Sequence, residues 1–305
     1  MNKKIEGLVA ASMTGFHPDG SVNLDIIPAY AAMLYRNGVV GVFVNGTTGE
    51  GMSLTSDERK RLAEKWVDSA TQGLQIIIHV GYSDPETSRA LAIHAAEIGA
   101  DAIGEIGPTQ NPPVTVQDLV KYSAATAGAI PQLPFYYYHM PSINDLPFPM
   151  IEYLKIADEM IPNLAGIKYT HNDIEDYRHC LEYRDGKYDI LFGRDEFLID
   201  GLRVDAKGAV GSTYNIFAPL YNKLIKAFHD GDFSNAEELQ ELSALSCKTI
   251  YETGSFGCGL KSIMRMIGLD LGRMRPPQIN LANQSVDELA TFVKESGLRD
   301  FLNGV

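Results

Sequence analysis

Cysteine is scarce in this chain. Cys180, Cys247 and Cys258 are the only three in 305 residues, an odd number at unrelated spacings. That leaves neither a disulfide framework nor the paired CxxC units of a zinc site, and a reducing, cytoplasmic setting is the expectation. Long apolar runs are missing too, so membrane insertion is not expected. The opening Met1-Asn2-Lys3-Lys4 carries the charge of a signal peptide, but Glu6 follows at once and the apolar stretch Leu8–Met13 is too short for one. It reads as a first strand. Positive charge is in deficit: 26 Lys and Arg against 39 Asp and Glu give a formal charge of −13 and no basic run, which argues against a nucleic-acid partner. An anionic substrate would need local donors, from backbone N–H groups, hydroxyls or a lysine.

Several chemical signatures are also lacking. His94 and Glu97 stand one helical turn apart, but no HExxH or two-His-carboxylate set accompanies them, so no metal is expected. His171 and His179 read as loop and helix-surface residues. There is no G-x-S-x-G elbow for a nucleophilic serine, and neither GxGxxG nor a Walker loop for a nucleotide, so no cofactor is expected.

What is present is a rhythm. Short apolar or β-branched segments alternate with longer amphipathic ones through the first two-thirds of the chain, as repeated β-α units do. Eight candidate strands follow: Gly7–Met13, Val39–Asn45, Gln75–Val80, Ala102–Ile106, Phe135–His139, Gly166–Tyr169, Ile190–Phe192 and Gly208–Gly211. Most are near-continuous apolar runs, the mark of parallel strands covered on both faces. Ser56, as N-cap, opens one helix, and Pro85-Glu86-Thr87 opens another that stops near Gly99. Beyond Thr213 the strand signal vanishes, and Leu220–His229, Asn235–Ile250, Leu260–Ile267 and Val286–Ser296 read as helices. The expectation is a (β/α)8 TIM barrel over 1–213 with a C-terminal helical extension, 214–305, packed on it. A doubly wound open sheet competes, because periodicity does not separate the two, but a count of eight favours closure.

In a barrel, chemistry sits at the C-terminal ends of the strands. Lys168 lies there, one ammonium in the apolar strand Leu164-Ala165-Gly166-Ile167-Lys168-Tyr169. Desolvation favours its neutral form, which is the form that attacks a carbonyl, although a rim ion pair would also explain it. Phe135-Tyr136-Tyr137-Tyr138-His139 ends another strand, with Tyr136 and Tyr138 on one face and Tyr137 on the other. A phenol there could move protons or simply pack. Asn45-Gly46-Thr47-Thr48-Gly49-Glu50-Gly51 offers hydroxyls and N–H groups to an anion, or is an ordinary glycine-rich turn. Gly193-Arg194-Asp195-Glu196 could be a rim charge cluster, and Gly211-Ser212-Thr213 closes the eighth strand in a similar way.

Together these segments resemble the N-acetylneuraminate lyase and dihydrodipicolinate synthase superfamily of pyruvate-dependent class I aldolases, over essentially the whole chain. Gly46-Thr47-Thr48-Gly49-Glu50 is similar to its carboxylate-binding loop, Tyr138 to its proton-shuttling tyrosine and Gly166-Ile167-Lys168 to its Schiff-base strand. The stretches Phe43–Gly51, Tyr136–Pro141 and Gly211–Asn215 resemble the sialic acid lyase branch. The resemblance implies that Thr47 and Thr48 hold a pyruvate carboxylate, that Thr170, Gly193, Asp195, Glu196 and Ser212 contact a sugar, and that Ala11 lines the pocket. The synthase branch carries an arginine shortly after the strand-five tyrosine, where Ile143 stands here, so that branch's bidentate carboxylate partner is missing. Many relatives place aromatic residues after strand four, whereas this chain reads Gly107-Pro108-Thr109-Gln110-Asn111-Pro112-Pro113, with no tyrosine to lend a neighbouring subunit.

The expected activity is reversible cleavage of N-acetylneuraminate to N-acetylmannosamine and pyruvate through an imine on Lys168, with sugar acid and pyruvate as small-molecule partners. By the same resemblance a homotetramer is expected. An aldolase or dehydratase for another 2-oxo-3-deoxy sugar acid, and a non-catalytic sugar-acid-binding barrel, are the rival readings.

Overall fold

The computed structural model describes residues 4–70, 73–278 and 280–304. Its eight strands are β1 (Gly7–Ala11), β2 (Val39–Val44), β3 (Gln75–His79), β4 (Ala102–Ile106), β5 (Phe135–His139), β6 (Leu164–Tyr169), β7 (Asp189–Phe192) and β8 (Gly208–Gly211). They are parallel and close in sequence order, with β8 pairing back to β1. The fold is the expected (β/α)8 barrel, and the open-sheet alternative is excluded by that last pairing.

Two apolar layers explain the unbroken hydrophobic strands. One set of alternate residues, including Val9, Phe43, Ile77, Tyr136, Tyr138, Leu191 and Val210, fills the barrel. The other, including Leu8, Val42, Ile76, Tyr137, Ile167 and Ile190, packs against the surrounding helices. Each fully buried aliphatic side chain contributes roughly 1.5–3 kcal/mol, so a polar replacement on either face is felt. Alternation therefore separates the three tyrosines as expected. Tyr136 plugs the lower barrel, donating to Asp189 Oδ2 at 2.8 Å, and Tyr138 stands at the upper end.

Strand ends differ slightly from the sequence reading. β2 stops at Val44 because Asn45 turns left-handed (φ 62°), while β6 and β7 start earlier, at Leu164 and Asp189. The helix Ser56–Ser69 is capped by Thr55 rather than Ser56. Thr55 accepts from the Glu58 N–H while Glu58 reaches back to the Thr55 N–H, a capping box that satisfies two orphan donors. The helix Pro85–Glu97 begins where expected, its cap being Asp84, and Gly99 turns left-handed just beyond its end.

After β8 come helices Tyr214–His229, Phe233–Glu252, Phe256–Met266 and Asn283–Glu295. The first starts earlier than Leu220, with non-helical backbone at Phe217 ahead of Pro219, and packs on β1 as well as on the helix that follows. Among the described residues, no helix is long and apolar enough to cross a membrane.

Candidate active site

Lys168 ends the apolar run of β6 and is 4 % exposed, inside the upper barrel. It pairs in register with Tyr138 of β5. Its Nζ lies 3.9 Å from the centre of the Tyr138 ring and 4.0 Å from that of Phe43, and it makes no hydrogen bond or ion pair among the described residues. Burial lowers its pKa to about 7, and the Asp195 carboxylate partly opposes that shift. The amine faces a cavity of about 650 Å³ that Tyr138, Thr47, Thr48, Thr170, Gly193, Asp195, Glu196, Ser212 and Ala11 also line. The residues that the resemblance assigns to the site thus meet at one place, contributed by the upper ends of β1, β2, β5, β6, β7 and β8.

Tyr138 is pushed up to about 12 by burial, while the hydroxyls of Thr47 and Thr170 act to lower it. Its phenol donates to Met140 Sδ at 2.9 Å, whereas Thr170 Oγ1 is buried without a hydrogen-bond partner among the described residues. A buried hydroxyl without a partner is costly unless a bound molecule satisfies it.

The loop after β2 is tightly built. The Gly51 N–H donates to the Gly46 carbonyl at 3.1 Å and the Glu50 N–H to that of Thr47 at 3.1 Å. A Cβ on residue 51 would fall 1.9 Å from the Asn45 carbonyl oxygen, so only glycine closes this turn. Thr48 Oγ1 and Ser212 Oγ lie 2.7 Å apart, linking the loop to the end of β8. Asn215 Nδ2 braces that junction by donating to the Ala11 and Ser212 carbonyls, each at 2.7 Å. From outside, Lys261 of the helix Phe256–Met266 donates to Glu50 Oε1 at 2.7 Å, both side chains almost fully buried, while the Arg275 N–H donates to Glu50 Oε2 at 3.0 Å.

Across the cavity, Asp195 Oδ2 accepts from the Thr213 N–H at 2.8 Å and its hydroxyl at 2.6 Å. Burial nevertheless raises its carboxyl to about 6. Gly193 is favoured by close approach, since a Cβ there would lie 2.7 Å from the Tyr169 carbonyl oxygen and 2.2 Å from Thr170 Oγ1. Glu196 is held by Arg194 at 2.6 Å, so the sequence's rim charge cluster divides into an ion-paired outer half and a buried inner carboxylate.

The upper wall was not foreseen. Tyr251, Ser255, Phe256, Leu260, Met274 and Gln278 of the C-terminal region line the cavity. Of the short helix Pro141–Asn144, Ser142 faces the cavity, while Ile143 is 42 % exposed. The Gly107–Pro113 loop contributes no lining residue. His94 binds Glu64 at 2.8 Å, and no group of three or more His, Cys, Asp or Glu converges as a metal site would among the described residues.

A parallel barrel that presents a buried amine of lowered pKa to a polar cavity at its C-terminal end belongs to the (β/α)8-barrel class, whose chemistry is done at that end. The sequence model of the dihydrodipicolinate synthetase family matches residues 4–296, and the chain belongs to that family. It is 38 % identical to the N-acetylneuraminate lyase of Pongo abelii over 305 residues, covering 99 % of this chain and 94 % of that protein. The solved N-acetylneuraminate lyase of Proteus mirabilis superimposes with a TM-score of 0.93 at 38 % identity, covering 96 % of this chain and 99 % of that one. The sialic acid aldolase of Aliivibrio salmonicida gives 0.93 at 37 %, covering 97 % and 98 %.

Proposed function

We propose that the protein is a class I aldolase that cleaves N-acetylneuraminate reversibly to N-acetylmannosamine and pyruvate, with Lys168 as the imine-forming amine. The observation that carries this reading is a buried lysine without an ion-pair partner among the described residues, its pKa lowered to about 7, in a cavity ringed by hydroxyls and one buried carboxylate. Its lyase relatives set the substrate class.

Neutral Nζ adds to the C2 carbonyl carbon of the 2-oxo acid. The carbonyl oxygen leaves as water after gaining two protons, and one proton stays on the nitrogen of the resulting C=N⁺H. In cleavage the C4 hydroxyl loses its proton, C4 becomes the aldehyde carbon of the departing sugar, the C3–C4 electron pair forms the C2=C3 bond, and the iminium π pair moves onto nitrogen. Protonation of C3 and hydrolysis then release pyruvate and regenerate the amine. Thr47 and Thr48 hold the carboxylate, which N–H groups of the same loop can reach. Tyr138 relays the C4 proton. Thr170, Gly193, Asp195, Glu196 and Ser212 receive the sugar hydroxyls, and Ala11 keeps the floor small. No cofactor is needed, because the iminium supplies the electron sink. The division into a catalytic barrel, 1–213, and a helical region, 214–305, a homotetrameric assembly and a cytoplasmic location complete the reading.

Incubation with pyruvate and borohydride, followed by peptide mass spectrometry, is expected to place a reduced adduct on Lys168, and N-acetylneuraminate is expected to release pyruvate. Absence of the adduct sinks the mechanism. Much faster release from a 2-oxo-3-deoxy hexonate than from N-acetylneuraminate sinks the substrate.

The lowered pKa carries a sign. Only the free amine attacks, so the initial rate of adduct formation is expected to rise with pH and reach half its limit near pH 7, far below the ordinary lysine value of about 10.4. A profile still climbing steeply at pH 9 would contradict the buried-amine account.

A further inference from the structure

The aromatic floor beneath Lys168 has a property that packing alone does not require. Phe43 is 1 % exposed at the upper end of β2, and its ring centre is 4.0 Å from Lys168 Nζ. Two glycines make room for it on opposite edges. A Cβ on Gly46 would fall 2.9 Å from Cδ1 and Cε1, and one on Gly104 would fall 2.6 Å from Cε2. Neither glycine adopts a positive φ, so space for this ring, not backbone conformation, is what each supplies. Tyr138 meets Phe43 edge-on at 5.5 Å between centres and His79 at 5.9 Å, which fixes the floor. His79 is kept neutral by burial and by the nearby Arg59 and Lys168 charges.

We propose that the Phe43 ring is a catalytic element of this site, its π face stabilising the cationic nitrogen of the Lys168 imine. Resting on the aldolase reading above, this answers a conflict within it. The nitrogen must be neutral to attack and positively charged once the imine has formed. A carboxylate at ion-pairing distance would stabilise the cation but hold the amine protonated, and no carboxylate lies within 4 Å of Nζ among the described residues. An aromatic face attracts both the ammonium and the iminium through its quadrupole, but more weakly than a full negative charge does, so it stabilises the iminium with a smaller rise in the amine's pKa than a paired carboxylate would impose. Burial strengthens that attraction, because a nitrogen on a side chain 4 % exposed has little water around it to solvate the cation.

The test keeps the ring's shape and drains its face of electrons. Residue 43 is replaced by 4-fluoro-, 3,5-difluoro- and 3,4,5-trifluorophenylalanine in the full-length protein, with Phe43→Tyr and Phe43→Leu alongside. Measured well above the pH midpoint, where the amine starts neutral, the pyruvate-imine formation constant and kcat/KM are expected to fall stepwise with fluorination, by roughly 10-fold at the trifluoro variant, as a desolvated cation–π contact predicts. The pH midpoint of adduct formation falls in parallel, because the ammonium loses the same stabilisation. Phe43→Tyr retains activity and Phe43→Leu loses at least as much as the trifluoro variant. A flat series with an unshifted midpoint overturns the inference while leaving the imine intact. Absence of a pyruvate adduct in the unsubstituted protein overturns both readings.

Discussion

Replacing Lys168 by methionine is expected to abolish the pyruvate adduct and to lower kcat for N-acetylneuraminate cleavage on the order of 10⁶-fold, the scale on which loss of a covalent nucleophile is felt. The size of the effect follows from the mechanism: without the iminium there is no sink for the C3–C4 electron pair, and no other lysine among the described residues lines the cavity. Stability moves the other way. Methionine has nearly the reach of lysine and carries no charge to desolvate, so it suits a position that is 4 % exposed and lacks an ion-pair partner. The melting temperature is therefore expected to stay level or rise, which separates lost chemistry from lost structure. Activity within 10-fold of the parent would refute the assignment.

Tyr138→Phe is expected to lower kcat by about 10²–10⁴-fold, the range typical of a positioned proton-transfer group, with a smaller change in KM. A phenol pushed up to about 12 keeps its proton at neutral pH and is a poor base by itself. It can act only as a relay, handing its own proton to the substrate carboxylate while it accepts that of the C4 hydroxyl. Pyruvate, which needs no C4 proton moved to form an imine, should still be trapped on Lys168. The phenylalanine ring also retains the 3.9 Å contact with Nζ. Equal losses in trapping and in cleavage would show that the residue positions the lysine instead.

The parts of this site that could be read in the sequence are those that local rules control. Alternation along β5 separates Tyr136 and Tyr138 from Tyr137 without saying which face meets the barrel interior, and the cost of an ammonium in an apolar strand draws attention to Lys168. Small residues after β2 announced a turn. Thr55 was missed as a cap only because Ser56, equally suited by type, stands beside it. The upper wall was invisible for another reason. Tyr251 and Phe256 reach the cavity because the Thr253–Ser255 turn between two helices happens to fold over the barrel mouth, and no periodicity in those helices encodes where their ends will rest. The role of Ser142 rather than Ile143 likewise depends on how a helix of four residues is rotated.

The Glu50–Lys261 pair spans 211 residues of chain, from the turn beside Thr47 and Thr48 to a helix outside the eight β-α units. Deleting one partner of such a buried pair strands the other charge at a cost of about 3–5 kcal/mol, a large share of the stability of an ordinary domain. The tail is therefore no ornament that evolution can exchange freely between barrels. A recombinant joining this barrel to a relative's tail inherits a working loop only if the incoming helix brings a cation to the same spot, so the two ends of the gene are bound to travel together.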